Sequence, residues 1–268
     1  MSDDAPSLHP PPELAELAPG FVPTLASRPD ADAGAITTWR LDGPGGVARF
    51  AKVAPAGHAV PLRREAERAI WAAAYLPVPR VLALEATGPV TVLLTEALPG
   101  RDGTDPSWRR DLARHVGALG RGLRTFHDAV GDEWCPFRFD VATALDHVAG
   151  RVASGQVDPA DFHSEHAHLS AEGALAELEA AAPADEELVV CHGDYCVPNV
   201  LLQAGAVTGY VDLGALGVAD RWWDIAVGGW STTWNFGDDL EPAFYEGYGI
   251  DPDPERIRWY RLLYDLAG

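Results

Sequence analysis

Three polar side chains between residues 190 and 215 have the types and the spacing to do chemistry together. Asp194 follows a short apolar run, Asn199 lies five residues further on, and Asp212 directly precedes Leu213 and Gly214. A carboxylate such as Asp194 can orient a hydroxyl group and accept its proton. Amide and carboxylate oxygens, as in Asn199 and Asp212, are the hard ligands that magnesium prefers. The three residues therefore predict a site that activates a hydroxyl beside a magnesium-bound phosphate.

The order of these residues matches the layout of phosphoryl transfer from ATP, in which a catalytic aspartate precedes an asparagine and then an aspartate before glycine. Leu188–Cys191 predicts a short strand that ends just before Asp194, and Val200–Gln203 with Val207–Val211 predicts a hairpin that ends at Asp212. Each polar residue alone could be a turn former or a local cap. Their combined spacing favours a kinase that uses ATP and Mg²⁺.

A kinase of this kind also needs a strand lysine for the ATP phosphates and a helix glutamate that pairs with it. Lys52 is the single lysine of the sequence, and it lies in the strand-like run Val47–Ala54. A compact ammonium group suits phosphate oxygens, whereas the alternative is a strand lysine that merely extends its stem towards solvent. Glu65 and Glu67 both lie on the following helical stretch and are both candidates for the partner.

The elements that must position these residues change character near residue 98. The first part alternates strand-like runs with one helical run and begins with a proline-rich segment, residues 5–30, that we expect to be partly irregular. The predicted elements of this part are Ile36–Leu41, Val47–Ala54, the helix Leu62–Tyr75, Arg80–Glu85 and Val90–Thr95.

The part after residue 98 is predicted to be mainly helical. A helix with one core-facing stripe is indicated by apolar residues at alternating steps of four and three, Leu112, Val116, Leu119, Leu123 and Phe126. The sequence therefore predicts an α+β fold of two lobes, residues 1–97 and 98–268. The N-terminal lobe would hold a small antiparallel sheet with one helix, and the C-terminal lobe would be larger and mainly helical.

The amino-acid composition limits the classes of molecule that this protein is expected to bind. Lys and Arg number 20 and Asp and Glu number 40, which gives a formal net charge of −20. This balance argues against nucleic acid or an anionic membrane as a partner and is compatible with a cationic small molecule. The alternative is that the acidity serves solubility alone. Three cysteines are too few for a disulfide framework. Because the sequence has no signal peptide and no membrane-spanning apolar run, we expect a cytoplasmic protein, with monomer and dimer both open.

Three longer runs of the sequence resemble the aminoglycoside 3'-phosphotransferases, a family of protein-kinase-like small-molecule kinases. They are Val190–Leu202, Thr208–Gly214 and Gly217–Ala226, and shorter similarities occur at Pro77–Val81, Thr95–Gly100, Cys135–Phe137 and Tyr260–Leu263. The resemblance implies a protein-kinase-like fold with a nucleotide-binding N-terminal lobe and a catalytic C-terminal lobe. It also implies ATP and Mg²⁺ as cofactors, transfer to the 3'-hydroxyl of a polycationic aminoglycoside, and antibiotic resistance.

The same resemblance assigns roles to individual residues. It agrees with Asp194 as the catalytic base, with Asn199 and Asp212 as magnesium ligands and with Lys52 on the ATP phosphates. It selects Glu65 as the partner of Lys52. It further implies that three residues bind ATP. Phe50 would place its aromatic ring against adenine, and Thr95 and Ala97 would lie on the connector whose backbone hydrogen-bonds the base. A core aromatic is the alternative for Phe50.

The residues around the expected acceptor match the family less closely. Asp158–Glu172 corresponds to the acidic substrate loop, and together with the C-terminus it offers Asp161, Glu165 and Asp265 as substrate-binding carboxylates. Three histidines of this loop could suggest zinc, but a solvated loop is the simpler interpretation. The departures from the family are Ala215 and Trp230, each where an arginine is expected, and the ending Tyr264–Gly268.

These departures leave an alternative open, namely a kinase of the same fold that acts on another small hydroxylated metabolite such as choline, homoserine or a macrolide. A third interpretation, an ATP-binding module without activity, conflicts with the presence of all four residues that the chemistry needs, Lys52, Asp194, Asn199 and Asp212.

Overall fold

The computed structural model describes residues 9–27, 36–237 and 239–268. The chain divides into two units, Met1–Leu98 and Pro99–Gly268. Within the described residues, no helix is both long enough and apolar enough to cross a membrane.

The described part of the first unit is built on a five-stranded antiparallel sheet. Its elements in chain order are α1 (Glu13–Leu17), β1 (Val22–Ser27), β2 (Thr37–Asp42), β3 (Ala48–Pro55), α2 (Val60–Ala72), β4 (Val81–Thr87) and β5 (Val90–Glu96). The strands lie in the order β1-β2-β3-β5-β4, so β3 is central and pairs with both β2 and β5.

The two faces of this sheet bury different residues because successive side chains of a strand point to opposite faces. On one face, Ala51 and Val53 of β3 pack in a cluster with Leu14 of α1. On the other face, Leu93 of β5 packs with α2, which buries Leu62, Ala66, Ala69 and Ala72 at helical spacing. Pro61 occupies the first turn of α2, where its missing N–H costs no hydrogen bond.

The segment 5–30, which we expected to be partly irregular, contains α1 and β1 with irregular backbone between them; residues 5–8 and 28–30 lie outside the described range. Residues 22–27 form β1, an edge strand in which Val22 is opposite Asp42 of β2. An edge strand tolerates Pro23 because one side of its backbone needs no partner. Since most of its side chains are exposed, β1 lacks the apolar alternation by which a strand is predicted.

The second unit is mainly helical and contains two small pieces of sheet. Its elements in chain order are β6 (Arg101–Asp102), α3 (Leu112–His127), α4 (Val141–Ala153), α5 (Ala171–Ala180), β7 (Leu188–Cys191), β8 (Val200–Gln203), β9 (Ala206–Tyr210), β10 (Gly217–Asp220), α6 (Trp222–Phe236), α7 (Glu241–Tyr248) and α8 (Pro254–Ala267). One piece pairs β7 with β10, and the other has the order β6-β8-β9.

Helix α3 packs against β7 and against the loop that follows it, and it approaches α7 very closely. Side chains are excluded at that approach, because a Cβ on Gly120 would lie 2.1 Å from Phe244 O and one on Gly247 would lie 2.2 Å from Gly117 O. The fully buried Tyr195 then donates a 2.9 Å hydrogen bond from its hydroxyl to Leu119 O of α3. The backbone next to Asp194 is thereby tied to the helical core.

Helix α8 closes the second unit and carries residues that reach the same loop. The helix begins where the Asp253 carboxylate accepts hydrogen bonds from the N–H groups of Glu255 and Arg256, at 3.0 and 3.1 Å. Such a cap satisfies donors that the first turn leaves unpaired. Burial of Leu262, Leu263 and Leu266 holds the helix against the unit.

Candidate active site

The backbone of the loop after β7 is held by Asp224, a fully buried residue near the start of α6. Its Oδ2 accepts a hydrogen bond from His192 N at 2.6 Å, and its Oδ1 accepts one from Gly193 N at 2.9 Å. Trp223 adds a 2.9 Å hydrogen bond from its indole N–H to Gly193 O. Strand β10 leads directly into α6 and pairs with β7, so the sheet brings Asp224 to the loop.

Glycine is required at position 193. Its φ of 85° lies in the left-handed region, and a Cβ there would lie 2.2 Å from Ala215 O. Ala215 therefore packs its backbone directly behind the loop, at a position where the family resemblance predicted an arginine.

A second layer of contacts surrounds the Asp224 carboxylate. His127 Nε2 lies 3.1 Å from Asp224 Oδ2, and His127 Nδ1 lies 2.8 Å from the Tyr248 hydroxyl. Ligand atoms of His127, Cys191 and Asp224 lie within 4.8 Å of one another. Burial raises the pKa of Cys191 well above its usual value, and the charge of Asp224 adds to the shift. The Cys191 thiol donates to the carbonyl oxygen of Asp220 at 3.4 Å, and both Asp224 oxygens accept backbone hydrogen bonds, so the groups of this cluster form a hydrogen-bond network.

The Asp194 carboxylate lies at the end of this fixed loop and is half-buried. Asn199 Nδ2 donates a 2.8 Å hydrogen bond to Asp194 Oδ2 and a 3.0 Å hydrogen bond to Asp194 O. The Cys196 thiol and the Tyr264 hydroxyl donate to Asp194 Oδ1, at 3.0 and 3.2 Å. Asp194 is consequently a carboxylate with a fixed orientation and partial access to solvent, as a general base requires.

The β8–β9 hairpin brings Asn199 and Asp212 to neighbouring positions, because one precedes the first strand and the other follows the second. Val211 N donates a 2.9 Å hydrogen bond to Asn199 O across the base of the hairpin. Asp212 is exposed and has a left-handed backbone, with φ 64° and ψ 53°. This conformation is uncommon for residues other than glycine, and Asp and Asn adopt it most readily among them.

The donor set at the hairpin fits magnesium. The Asn199 amide nitrogen is engaged by Asp194, which leaves the amide oxygen as its ligand atom, and the Asp212 carboxylate is exposed. Oxygen ligands on rigid strand ends suit a small, hard cation.

In the first unit, Lys52 on β3 pairs with Glu65 on α2. The Lys52 ammonium lies 2.8 Å from both carboxylate oxygens of Glu65, and the two side chains are only 18% and 15% exposed. Glu67 is exposed to solvent. Of the two candidate glutamates, Glu65 is therefore the one that contacts the lysine.

The remaining nucleotide-site candidates lie on β3 and at the end of β5. Phe50 is half-buried and is opposite Thr95 in the β3–β5 register, and the Thr95 hydroxyl lies 3.5 Å from Phe50 O. The Ala97 N–H donates to Ala48 O at 3.3 Å, so that this donor is already used within the sheet. The structure thus brings Phe50 and Thr95 together and leaves the Ala97 carbonyl as the group that could bond a base.

The three predicted substrate carboxylates have different surroundings. Asp161 and Glu165 are exposed, and Glu165 lies 3.8 Å from Arg261. The Asp265 side chain is only 2% exposed, and its two oxygens lie 2.5 Å from His163 Nδ1 and 2.7 Å from His166 Nδ1. Asp265 also accepts a hydrogen bond from His163 N at 3.2 Å. Both Asp265 oxygens are therefore occupied by the loop.

Trp230 lies next to these histidines. Its ring centroid is 4.3 Å from that of His163 and 4.9 Å from that of Trp234, and the Arg261 guanidinium lies 5.3 Å from it. The arginine expected at position 230 is thus replaced by an indole, against which a guanidinium from α8 packs.

Comparison with known proteins shows which family has this sequence pattern. The model of the phosphotransferase enzyme family, APH, matches residues 28–260. The chain belongs to this family. The suspected resemblance is confirmed.

Among the relatives of this phosphotransferase, the streptomycin 3''-kinase of Streptomyces griseus is 38% identical over 239 residues, which are 82% of this chain and 85% of the relative. The crystal structure of an aminoglycoside 3'-phosphotransferase of type VIII has 38% identity and a TM-score of 0.83, and covers 95% of this chain and 96% of its own. Aminoglycoside phosphotransferase APH(3'')-Id from Streptomyces rimosus, solved with ADP and streptomycin, has 28% identity and a TM-score of 0.75 over the same shares. The predicted α+β, protein-kinase-like fold is confirmed by these structures.

Three residues of the phosphotransferase site were missed by the sequence interpretation. Asp224 and Trp223 fix the loop backbone, and Tyr264 contacts Asp194 from α8. The family resemblance included Asp224 and Trp223 only as part of the run Gly217–Ala226. The sequence feature that could have singled them out is an aspartate directly after two tryptophans. Nothing in the sequence indicated that Tyr264 would reach Asp194.

Proposed function

We propose that this phosphotransferase transfers the γ-phosphoryl group of ATP to the 3'-hydroxyl of an aminoglycoside and so confers resistance to the antibiotic. The observation that carries the proposal is the fixed Asp194 carboxylate beside Asn199, in a chain 38% identical to an aminoglycoside 3'-phosphotransferase. A carboxylate in this setting serves a hydroxyl acceptor, since it can orient the O–H group and accept its proton.

The nucleotide is proposed to be held by named residues, each with its own role. Lys52, held by Glu65, neutralises ATP phosphate oxygens. Phe50 packs against the adenine, and the backbone at Thr95 and Ala97 hydrogen-bonds it. The relative that was solved with ADP and streptomycin supports a nucleotide donor. Asn199 and Asp212 would hold Mg²⁺ through oxygen ligands, and the metal would neutralise charge on the phosphates.

In the proposed reaction the acceptor oxygen forms a bond to the γ-phosphorus while the bond from that phosphorus to the ADP oxygen breaks. The acceptor proton passes to Asp194 and is later released to water. Asp224 contributes by keeping the His192–Gly193 backbone, and with it Asp194, in one position. Positioning of this kind supplies much of the rate in phosphoryl transfer, where the protein forms few covalent bonds itself.

Acceptor recognition is proposed to rest on charge. The net charge of −20 and the exposed Asp161 and Glu165 favour a polycation. The expected role of Asp265 changes, because its carboxylate is buried and engaged by two histidines. Asp265 would then support the acceptor loop rather than bind an ammonium group itself.

A second candidate function is the phosphorylation of a different small hydroxylated metabolite by the same chemistry. The observation that favours it is the aromatic group formed by Trp230, Trp234 and His163, where the family resemblance predicted an arginine at position 230. Aromatic rings suit ligands that are less charged than a typical aminoglycoside, or that carry a single cation.

A turnover panel tests the proposal. ADP release and phosphate incorporation are measured with kanamycin and neomycin, with tobramycin, which lacks the 3'-hydroxyl, with streptomycin, and with a macrolide and an amino alcohol. Phosphorylation of the first two only is the expected result. Equal turnover of tobramycin rejects the 3' position, turnover of streptomycin alone indicates the 3'' position, and a response only to macrolides or amino alcohols supports the second candidate.

A further inference from the structure

The Asp194 carboxylate receives three side-chain hydrogen bonds that differ in origin. Asn199 donates to Oδ2 at 2.8 Å, whereas Cys196 and Tyr264 donate to Oδ1 at 3.0 and 3.2 Å. A carboxylate has about four lone-pair sites, two on each oxygen. Oδ1 is therefore filled by two donors, and Oδ2 retains one site after Asn199 has taken the other.

Both donors on Oδ1 remain protonated at neutral pH. Burial raises the pKa of Tyr264 far above its usual value, and the negative charge of Asp194 raises it further. The pKa of Cys196 is raised in the same way, first by burial and then by Asp194. A neutral hydroxyl and a neutral thiol can only donate to a carboxylate, so neither competes with Asp194 for the proton of an acceptor.

Tyr264 is the one of these donors that does not belong to the loop. It lies 70 residues from Asp194, on α8, and its ring is surrounded by aromatic rings at centroid distances of 6.1 Å for Trp223, 6.0 Å for Trp234 and 6.3 Å for His163. The Cys196 sulfur also lies 3.6 Å from the Tyr264 hydroxyl. The position of this hydroxyl thus depends on how α8 packs against the aromatic rings around Tyr264.

We propose that Tyr264 is a positioning residue for the phosphotransferase reaction. Its hydroxyl, together with the Cys196 thiol, fixes the plane of Asp194 so that the acceptor hydroxyl delivers its proton to Oδ2. This inference rests on the proposed function. It also assigns a use to one departure from the family, since Tyr264 belongs to the altered ending Tyr264–Gly268.

A competing role for Tyr264 makes an opposite prediction. If its hydroxyl merely occupied the place of the acceptor hydroxyl and left when the acceptor bound, its removal would strengthen acceptor binding. A positioning role instead lowers the rate of the bound complex and leaves acceptor binding unchanged, because the geometry of the base matters in the transition state.

The test compares Tyr264→Phe with the wild-type chain in steady-state kinetics. Phenylalanine keeps the ring among its aromatic neighbours and removes only the donor. We expect kcat to fall about tenfold, as a slightly misplaced base produces, with the KM values for acceptor and ATP within about twofold. Tyr75→Phe is the matched control, because Tyr75 is an exposed tyrosine of the first unit, 44% accessible, and should behave as wild type.

Two further comparisons separate positioning from general loss of structure. In an Asp194→Asn background, adding Tyr264→Phe should cost no further activity, since the group that Tyr264 positions is already lost. Cys196→Ser, which keeps a donor to Oδ1, should retain more activity than Cys196→Ala. An unchanged kcat in Tyr264→Phe, a lower acceptor KM, or a full additional loss in the Asp194→Asn background would each overturn the inference.

Failure of the proposed function can be recognised separately. If the wild-type chain phosphorylates no aminoglycoside, the proposed function is wrong. The ratio of Tyr264→Phe to wild type is then measured with whichever hydroxyl compound the wild type accepts, or with water as the acceptor in the basal release of ADP. The same expected decrease applies in either case, because the proton of each acceptor is directed to the same carboxylate.

Discussion

The Lys52 ammonium lies 2.8 Å from both carboxylate oxygens of Glu65, in a pair that is largely shielded from solvent. Replacement of Lys52 by Ala should raise the KM for ATP strongly, because the ammonium group is proposed to contact the phosphates. Glu65→Ala should act in the same direction but more mildly, since Glu65 only positions the lysine. The measurement is ATP titration of turnover, and Glu67→Ala is the matched control. If Glu67→Ala were the more damaging change, Glu67 rather than Glu65 would be the glutamate that positions Lys52 for ATP.

Asp194→Ala should abolish turnover while nucleotide binding stays close to wild type. The carboxylate is proposed to take the acceptor proton, and a positioned base contributes about 10²- to 10⁴-fold. Turnover with excess acceptor and the Kd of a nucleotide analogue measure the two effects. A variant that keeps more than a tenth of wild-type activity would contradict the assignment of Asp194 as the base.

Asp212→Ala should reduce activity sharply, and excess Mg²⁺ should not fully restore it, because a charged ligand is lost from the proposed metal site. Asn199→Ala removes a neutral ligand and also a hydrogen bond to Asp194, which lies 2.8 Å away. We expect its magnesium dependence to change less than that of Asp212→Ala. Activity is measured over a range of Mg²⁺ concentrations. Unchanged magnesium dependence in both variants would argue against this metal site.

Asp224→Ala should destabilise the chain and also lower kcat. The substitution leaves the backbone N–H groups of His192 and Gly193 without an acceptor in a fully buried place. Unsatisfied buried donors cost about 1–3 kcal/mol each, so the loss of acceptors for two of them should lower the free energy of unfolding by about 2–6 kcal/mol. Denaturant unfolding provides the measurement. Asp224→Asn keeps one acceptor oxygen and should lose less; equal losses in both variants would mean that the negative charge, not the acceptor geometry, holds the loop.

Glu165→Gln should raise the KM for a polycationic acceptor more than Asp265→Asn does. Glu165 is exposed, whereas both Asp265 oxygens are engaged by His163 and His166. For the same reason Asp265→Asn should lower the melting temperature more than Glu165→Gln. Acceptor titrations at low and high salt, together with thermal unfolding, measure these effects, and the acceptor KM of the wild type should rise with salt. The reverse order of the two KM effects would show that Asp265 contacts the acceptor.

The paired strands and the reacting groups could be predicted because they depend on short stretches of sequence. The β8–β9 hairpin follows from alternation over a few residues, and it necessarily brings Asn199 and Asp212 to the same end. Glu65 could not be chosen by spacing alone, because two positions on a helix differ by about 200° around its axis and either could face β3. The family resemblance selected Glu65, which is the residue that contacts Lys52. Edge strand β1 was not predicted, since its mostly exposed side chains give no pattern.

The sequence by itself determined the family, the fold class and the residues capable of phosphoryl transfer, because their types, order and local spacing are written along the chain. Only the tertiary structure decided which polar groups meet. Asp224 reaches the loop from 32 residues away, Tyr264 reaches Asp194 from 70 residues away, and Asp265 is enclosed by a loop about a hundred residues earlier. Each of these contacts depends on how α6 and α8 pack against distant segments. A carboxylate available to a ligand and one occupied by the protein look the same in sequence, because packing and not residue type sets their hydrogen-bond partners.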